Sequence, residues 1–293
     1  MEIININNMN NTLNSYEFDN IHNFANYESQ ITIKRPNTLR IMTYNVHGFK
    51  NLKFKNTLAN IINNISIIDP DIIMLEEVYI NKKNVLITKN ELITLMENIK
   101  LKYYVFSNSE INAVFSKFPF KSEEIYLGRD PIKKIARNAI KCSFNIESHN
   151  NIIFIGTHLD VFDETGETRK KQIKIILNDI NNDDNININN NGIIICGDFN
   201  SLRQKDYTVT EWDELVYIDK DRNVNTVMDV IPIIENDDFI DSFEYLKKRI
   251  KISVWSNRRV DYIYGKNIKF ESSDSYKNTS SDHYPIYADI LLN

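Results

Sequence analysis

The chain has 293 residues, of which 42% are apolar and 26% charged. These are ordinary globular values and exclude wholesale disorder. A net charge of −5, from 35 basic and 40 acidic residues, does not by itself point to nucleic acid, although a cleft can be locally basic in an acidic protein. No stretch approaches the ~20 apolar residues of a membrane span. The opening Met1-Glu2-Ile3-Ile4-Asn5 lacks the basic and apolar runs of a secretion signal, so an intracellular chain, cytoplasmic or nuclear, is expected.

In chain order, residues 1–37 are polar and Asn-rich and read as a flexible arm or loose outer wrap, ahead of one domain over 38–293. Leu39–Tyr44 reads as a strand. Phe54, Leu58, Ile61, Ile62, Ile65 and Ile68 have helical spacing, which predicts a helix stopped by Asp69-Pro70. Ile72–Leu75 is a short apolar run of the kind covered on both faces. A helix follows over 88–100, then strands over 103–107, 112–116, 136–146 and 152–155. Thr165 is a candidate cap for a helix carrying Ile173, Ile176, Leu177 and Ile180. The Asn/Asp tract 181–191 reads as a solvated loop, and Ile193–Cys196 as another buried strand. Phe239–Ile250 reads as a helix, and 259–264, 268–272 and 284–291 as strands. Cys142 and Cys196 sit in strand-like runs and read as buried thiols, not a disulfide framework. Interspersed helices and short strands favour an α/β sandwich of layers.

Polar residues interrupt the apolar strands at their ends: Asn45 and His47, Glu77, His158 and Asp160, Asp198 and Asn200, Asp261, and Asp282 with His283. Sheets of this class put ligands at strand ends. Singly, each has a plainer reading. Asn45, Asp198 and Asn200 could form turns, Glu77 could be a solvated strand end, Asp261 a surface ion pair, Asp282 a cap, and His158 and His283 satisfied interior histidines. Together they fit one chemistry. Glu77, Asn45 and Asp282 offer hard oxygen ligands suited to Mg2+, with Mn2+ as a substitute. An Asp beside an Asn can orient a water, and an Asp–His pair can stabilise charge building on phosphorus. Zinc spacing, a glycine-rich phosphate loop and a G-x-S-x-G elbow are all missing from the sequence.

The segments Thr43-Tyr44-Asn45, Leu75-Glu76-Glu77-Val78, Gly156-Thr157-His158-Leu159, Gly197-Asp198-Phe199-Asn200, Arg259-Val260-Asp261-Tyr262 and Ser281-Asp282-His283 resemble, in order, those of the endonuclease/exonuclease/phosphatase superfamily. Asn112–Pro119 is similar to its N-A-x-x-S-[KR]-[FY]-P strand, and Arg169 with Gln172 to its R-x-x-Q helix. The resemblance implies a deoxyribonuclease-like fold: a four-layer α/β (α+β) sandwich of two mixed β-sheets flanked by helices. It implies Mg2+ held by Glu77, helped by Asn45 and Asp282. It also implies Asp198 orienting or deprotonating the water, Asn200 binding the scissile phosphate, His283 paired with Asp261 at the transition state, and His158 on the phosphate.

Some family branches differ here. His47 stands where abasic-site endonucleases and tyrosyl-DNA phosphodiesterases carry Asp, and Ile155 where the abasic-site branch carries Tyr. The segment 259–263 lacks the W-C-D-R motif of inositol-phosphate 5-phosphatases. The expected function is a Mg2+-dependent phosphodiesterase for nucleic acid, a nuclease or DNA-end enzyme acting as a monomer. The basic run Lys247, Lys248, Arg249, Lys251, Arg258 and Arg259 could serve it, or could be a solvated helix face. A sphingomyelinase-like or small-molecule phosphoesterase is the alternative, and a non-catalytic binding module a third.

Overall fold

A computed structural model describes residues 31–80, 87–146, 151–249 and 252–292. The expected arm therefore lies outside the described residues as far as Gln30. Its last part is not free. The Thr32 N–H donates to the Tyr287 hydroxyl (3.1 Å), Arg40 donates to Thr32 O (2.7 Å), and Lys34 pairs with Asp71.

Twelve strands among the described residues form two six-stranded sheets. The first contains β1 (Thr38–Asn45), β2 (Ile72–Glu76), β3 (Tyr103–Phe106), β4 (Ala113–Ser116), β11 (Phe270–Ser275) and β12 (Ile286–Leu291), in the order β11-β12-β1-β2-β4-β3. The second contains β5 (Lys121–Arg129), β6 (Ala136–Phe144), β7 (Ile152–His158), β8 (Gly192–Asp198), β9 (Ile240–Asp241) and β10 (Asp261–Lys266), in the order β5-β6-β7-β8-β10-β9. Each sheet is antiparallel except for its central pair, β1 with β2 and β7 with β8.

The continuous apolar runs are explained by burial on both faces. Ile41, Ile72, Met74, Phe154, Ile194 and Cys196 point between the sheets. Met42, Tyr44, Ile73 and Leu75 face the other way, under helices α1 (Leu58–Ile68) and α2 (Lys89–Asn98). Ile153, Ile155, Ile193 and Ile195 face helix α3 (Glu167–Asn182). The result is helix, sheet, sheet, helix. The sheets meet closely at Gly156, where a Cβ would lie 2.5 Å from Met74 Sδ. Both cysteines are free and buried.

Three expected elements change. The first helix begins at Leu58, and Phe54, though in phase, sits in the preceding turn at φ 55°. Phe239–Ile250 is not one helix. Strand β9 leads into the single turn Ser242–Tyr245, capped by the Asp241 side chain. Helix α3 starts at Glu167 with Gly166, not Thr165, at its N-cap. Its first turn is held instead by Asp163, which accepts the Thr168 N–H (2.8 Å) and the Thr165 N–H (2.9 Å). Helix Val209–Asp221 was not expected. Its signal is the reciprocal box between Thr208 and Glu211.

Candidate active site

Parallel pairing puts the C-terminal ends of β1, β2, β7 and β8 at one end of the sandwich, and the antiparallel neighbours β10 and β12 begin there. Asn45 closes β1, Glu77 follows β2, His158 closes β7 and Asp198 closes β8. Asp261 opens β10 in register with Asp198, and His158 is in register with Asp198 on the other side. Asp282 and His283 enter from the turn before β12.

The side chains interlock across the two sheets. Asn45 Nδ2 donates to Glu77 Oε1 (3.2 Å) and to Asp198 Oδ2 (3.2 Å), while Asn45 Oδ1 accepts the His47 N–H. Asp198 Oδ1 accepts the Asn200 N–H (2.9 Å). His158 Nε2 lies 3.5 Å from Asp198 Oδ2 and 4.0 Å from Glu77 Oε1. His283 Nδ1 lies 2.9 Å from Asp261 Oδ2, and its Nε2 lies 3.8 Å from Asp198 Oδ2. Asp282 Oδ1 is 3.7 Å from His47 Nδ1. All eight residues expected from the sequence thus reach one mouth. Glu77 and Asn200 adopt φ of 58° and 48°, a region that costs a non-glycine residue about 1–3 kcal/mol and is concentrated at functional sites.

The local sequence explains the placement. Gly197, at φ 140°, lets β8 pass Thr157, whose carbonyl oxygen would lie 1.8 Å from a Cβ there. The R-x-x-Q pair holds the turn after His158. Arg169 donates to Asp160 O (2.8 Å) and pairs with Asp229, and Gln172 Oε1 accepts the Asp160 N–H. Asp160 itself braces that turn by accepting the Asp163 N–H. Asn200 donates to Leu159 O (3.2 Å).

Burial and neighbouring charge set the protonation. Burial pushes Asp198 up, Asp261 pushes it further, and the His283 charge offsets part of this, leaving it at about 7. Burial alone would lower His283. The charge and hydrogen bond of Asp261, with Asp198, outweigh it and raise His283 well above the usual histidine range. Burial, then the charges of Arg137 and His283, push His158 well below that range, so it is neutral.

Two sets of groups could hold a metal. The most compact trio of donor atoms is Asp198, Asp261 and His283, all within 4.8 Å of one another. A protonated His283, hydrogen-bonded to Asp261, has no lone pair to offer on that nitrogen. Glu77, Asn45 and Asp282 are the hard-oxygen set expected from the sequence, and Asn45 is bonded to Glu77. Among the described residues no lysine or arginine pairs with Glu77, Asp198, Asp261 or Asp282, whose ionic neighbours are histidines. Four carboxylates at one mouth, with histidines as their ionic neighbours among the described residues, suit a divalent cation.

A cleft of about 300 Å³ opens beside Asn200, Asp282 and His283 and continues past Leu202, Val227 and Trp255. The basic run expected from the sequence does not form one face. Arg259 is buried against Asp241 and Asp206, Arg258 pairs with Asp219, and Lys251 lies outside the described residues. Two further groups escaped the sequence reading. Glu76 is wholly buried below the site, bonded by the Thr43 hydroxyl, and burial raises it well above the carboxylate range. Arg137, on β6, is a buried guanidinium with no partner at Nε.

The family described as Endonuclease/Exonuclease/phosphatase family matches residues 42–283. The chain belongs to it. Endonucleases, exonucleases and phosphatases all break phosphoester bonds, so the family sets this chain's chemistry at that level: a phosphoester hydrolase. No curated protein matches the sequence. Among solved structures, an endonuclease/exonuclease/phosphatase from Beutenbergia cavernae DSM 12333 is similar over 88% of this chain and 72% of its own, at 17% identity and TM-score 0.66. D. rerio TDP2, complexed with a single strand DNA product, is similar over 87% and 99%, at 17% identity and TM-score 0.59. The human Nocturnin catalytic domain is similar over 89% and 97%, at 17% identity and TM-score 0.62. These family folds share the four-layer α/β sandwich described above.

Proposed function

We propose that this family member is a Mg2+-dependent phosphodiesterase that hydrolyses a nucleic acid, as a nuclease or DNA-end enzyme, by attack of an activated water. The observation that carries this is the meeting of Glu77, Asp198, Asp261 and Asp282 at one mouth with no lysine or arginine paired to them among the described residues. Glu77, Asn45 and Asp282 would hold the metal, which supplies positive charge to the phosphoryl oxygens.

Asp198 takes the proton of the attacking water. A carboxyl pushed up to about 7 is a stronger base than an ordinary one and is still ionised in about half of the molecules at neutral pH. The Asn200 side chain and His158 Nε2–H hold phosphate oxygens. His283, kept cationic and oriented by Asp261, donates Nε2–H to the charge that grows on the phosphoryl group as the far P–O bond breaks. Arg137 adds a buried cation whose charge reaches His158 and whose Nε has no partner among the described residues. The single strand DNA product bound by D. rerio TDP2 supports a nucleic-acid substrate.

The test is a cleavage panel with and without Mg2+, and with Mn2+ in its place. It compares single-stranded, duplex, abasic and 5′-tyrosyl DNA, RNA, sphingomyelin and phosphoinositides. Metal-dependent cleavage of a nucleic acid, abolished in Asp198→Asn, is expected. Turnover of sphingomyelin or a phosphoinositide alone would move the chain to the lipid branch.

A further inference from the structure

The turn from Lys50 to Asn56 stands at the edge of this mouth and takes no part in the chemistry above. Lys50 and Asn56 close it as an antiparallel bridge. Its root is tied to the site: the Gly48 N–H donates to Glu77 O (2.9 Å), and the Thr57 N–H to Phe49 O (2.9 Å). Asn51 shapes the interior. Its Oδ1 accepts the N–H groups of Lys53 (2.9 Å) and Lys55 (3.1 Å), its N–H donates to Lys55 O, and Asn51 O accepts the Phe54 N–H.

With the backbone groups satisfied inward, Leu52, Lys53, Phe54 and Lys55 are left exposed, Phe54 by 54%. Phe54 is held at φ 55°, a costly place for an aromatic residue. Its ring lies 5.8 Å from that of His47, which in turn neighbours Asp282. Lys50, Lys53 and Lys55 form no ion pair among the described residues. In a chain of net charge −5, these three cations within six residues concentrate positive charge on the turn.

We propose that this turn docks the single-stranded nucleic acid that flanks the scissile phosphate, its lysines holding phosphates and Phe54 stacking a base. The inference rests on the proposed function only for the class of substrate. Cations interleaved with an aromatic face are how proteins hold a single strand without reading its sequence. An anionic bilayer is the other polyanion to weigh. Against it, the Phe54 ring lies beside His47 at the site instead of projecting away, and two half-exposed side chains offer little area to insert.

The experiment uses the full chain and two variants, Lys53→Gln/Lys55→Gln and Phe54→Asn. Asparagine tolerates the left-handed backbone and removes only the ring. Binding of a labelled oligothymidylate is measured by anisotropy in EDTA, where turnover is blocked. Hydrolysis of bis(p-nitrophenyl) phosphate is measured separately with Mg2+. The double lysine variant should bind roughly tenfold more weakly, and its slope of log affinity on log salt should shrink by about 1.4, since each phosphate contact on a single strand contributes about 0.7. Phe54→Asn should weaken binding by about five- to a hundredfold. Hydrolysis of the small diester should stay within about twofold in both variants.

Unchanged affinity and salt slope in both variants would overturn the proposal, as would a parent chain that binds no oligonucleotide. Lost binding to phosphatidylserine vesicles with oligonucleotide binding intact would also overturn it, in favour of a bilayer. The binding arm needs no turnover, so failure to hydrolyse any diester would strike the proposed function and leave the docking result readable.

Discussion

His283 Nδ1 sits 2.9 Å from Asp261 Oδ2, while the other Asp261 oxygen is buried with no partner among the described residues. The carboxylate therefore spends itself on one imidazole, fixing both its orientation and its charge. Asp261→Asn should leave the fold intact and lower kcat by about 10²–10⁴. His283→Ala should do the same. The double variant should be no worse than the poorer single one, because the two act as a unit. Steady-state kinetics on any accepted diester would decide it, and additive losses would show that the pair is not one device.

Glu77→Gln keeps the shape of the side chain and removes its charge. The Mg2+ concentration for half-maximal activity should rise at least about tenfold. A second readout needs no turnover. Saturating metal at about 100 times its dissociation constant should stabilise the parent chain by about 2.7 kcal/mol, seen as a rise in Tm, and the variant should lose most of that rise.

Gly197→Ala should be the most damaging of the seven glycine-to-alanine changes. Its backbone is at φ 140° and the added carbon would meet a carbonyl oxygen, which cannot step aside. A cost of about 2–5 kcal/mol is expected in urea unfolding. Gly156→Ala meets the flexible end of Met74 instead and should cost about 1–3 kcal/mol.

Asp163 gives a pH signature remote from the chemistry. Burial alone would raise its carboxyl, but bonds from Thr165 and Thr168 outweigh this and hold it well below the usual range. A folded-state value below the unfolded one means stability that is present above about pH 4. That stability is lost as pH falls through the folded value. Asp163→Asn should cost about 1 kcal/mol near neutrality, and the difference from the parent chain should shrink progressively below about pH 4. A constant difference down to the acid limit would contradict the assignment.

Which polar residues come together at the candidate site was more legible in the sequence than where the helices begin and end. Asn45, Glu77, His158, Asp198, Asp261 and His283 each break an apolar run at a strand end, and strands buried on both faces leave little else for such residues to do. Phe54 misled because it keeps helical phase by coincidence. The Asn51 side chain captures the backbone N–H groups of Lys53 and Lys55 before a helix can begin. Phe239–Ile250 misled because Asp241 bonds the main chain two and three residues on, which starts a single turn that no apolar face extends. The Arg137 and Glu76 environments were illegible because both depend on which strands become neighbours. So did the left-handed backbone at Glu77 and Asn200.

Each half of the candidate catalytic set is rooted in a different sheet: Asn45 and Glu77 in one, His158, Asp198 and Asp261 in the other. The chemistry then works as a caliper across the interior. A slip of the two layers by a fraction of an ångström, from a crowded Gly156 or a shrunken Met74, would open the gap between Asn45 and Asp198 while every strand stayed paired. Turnover should therefore fade on heating before circular dichroism registers any melting.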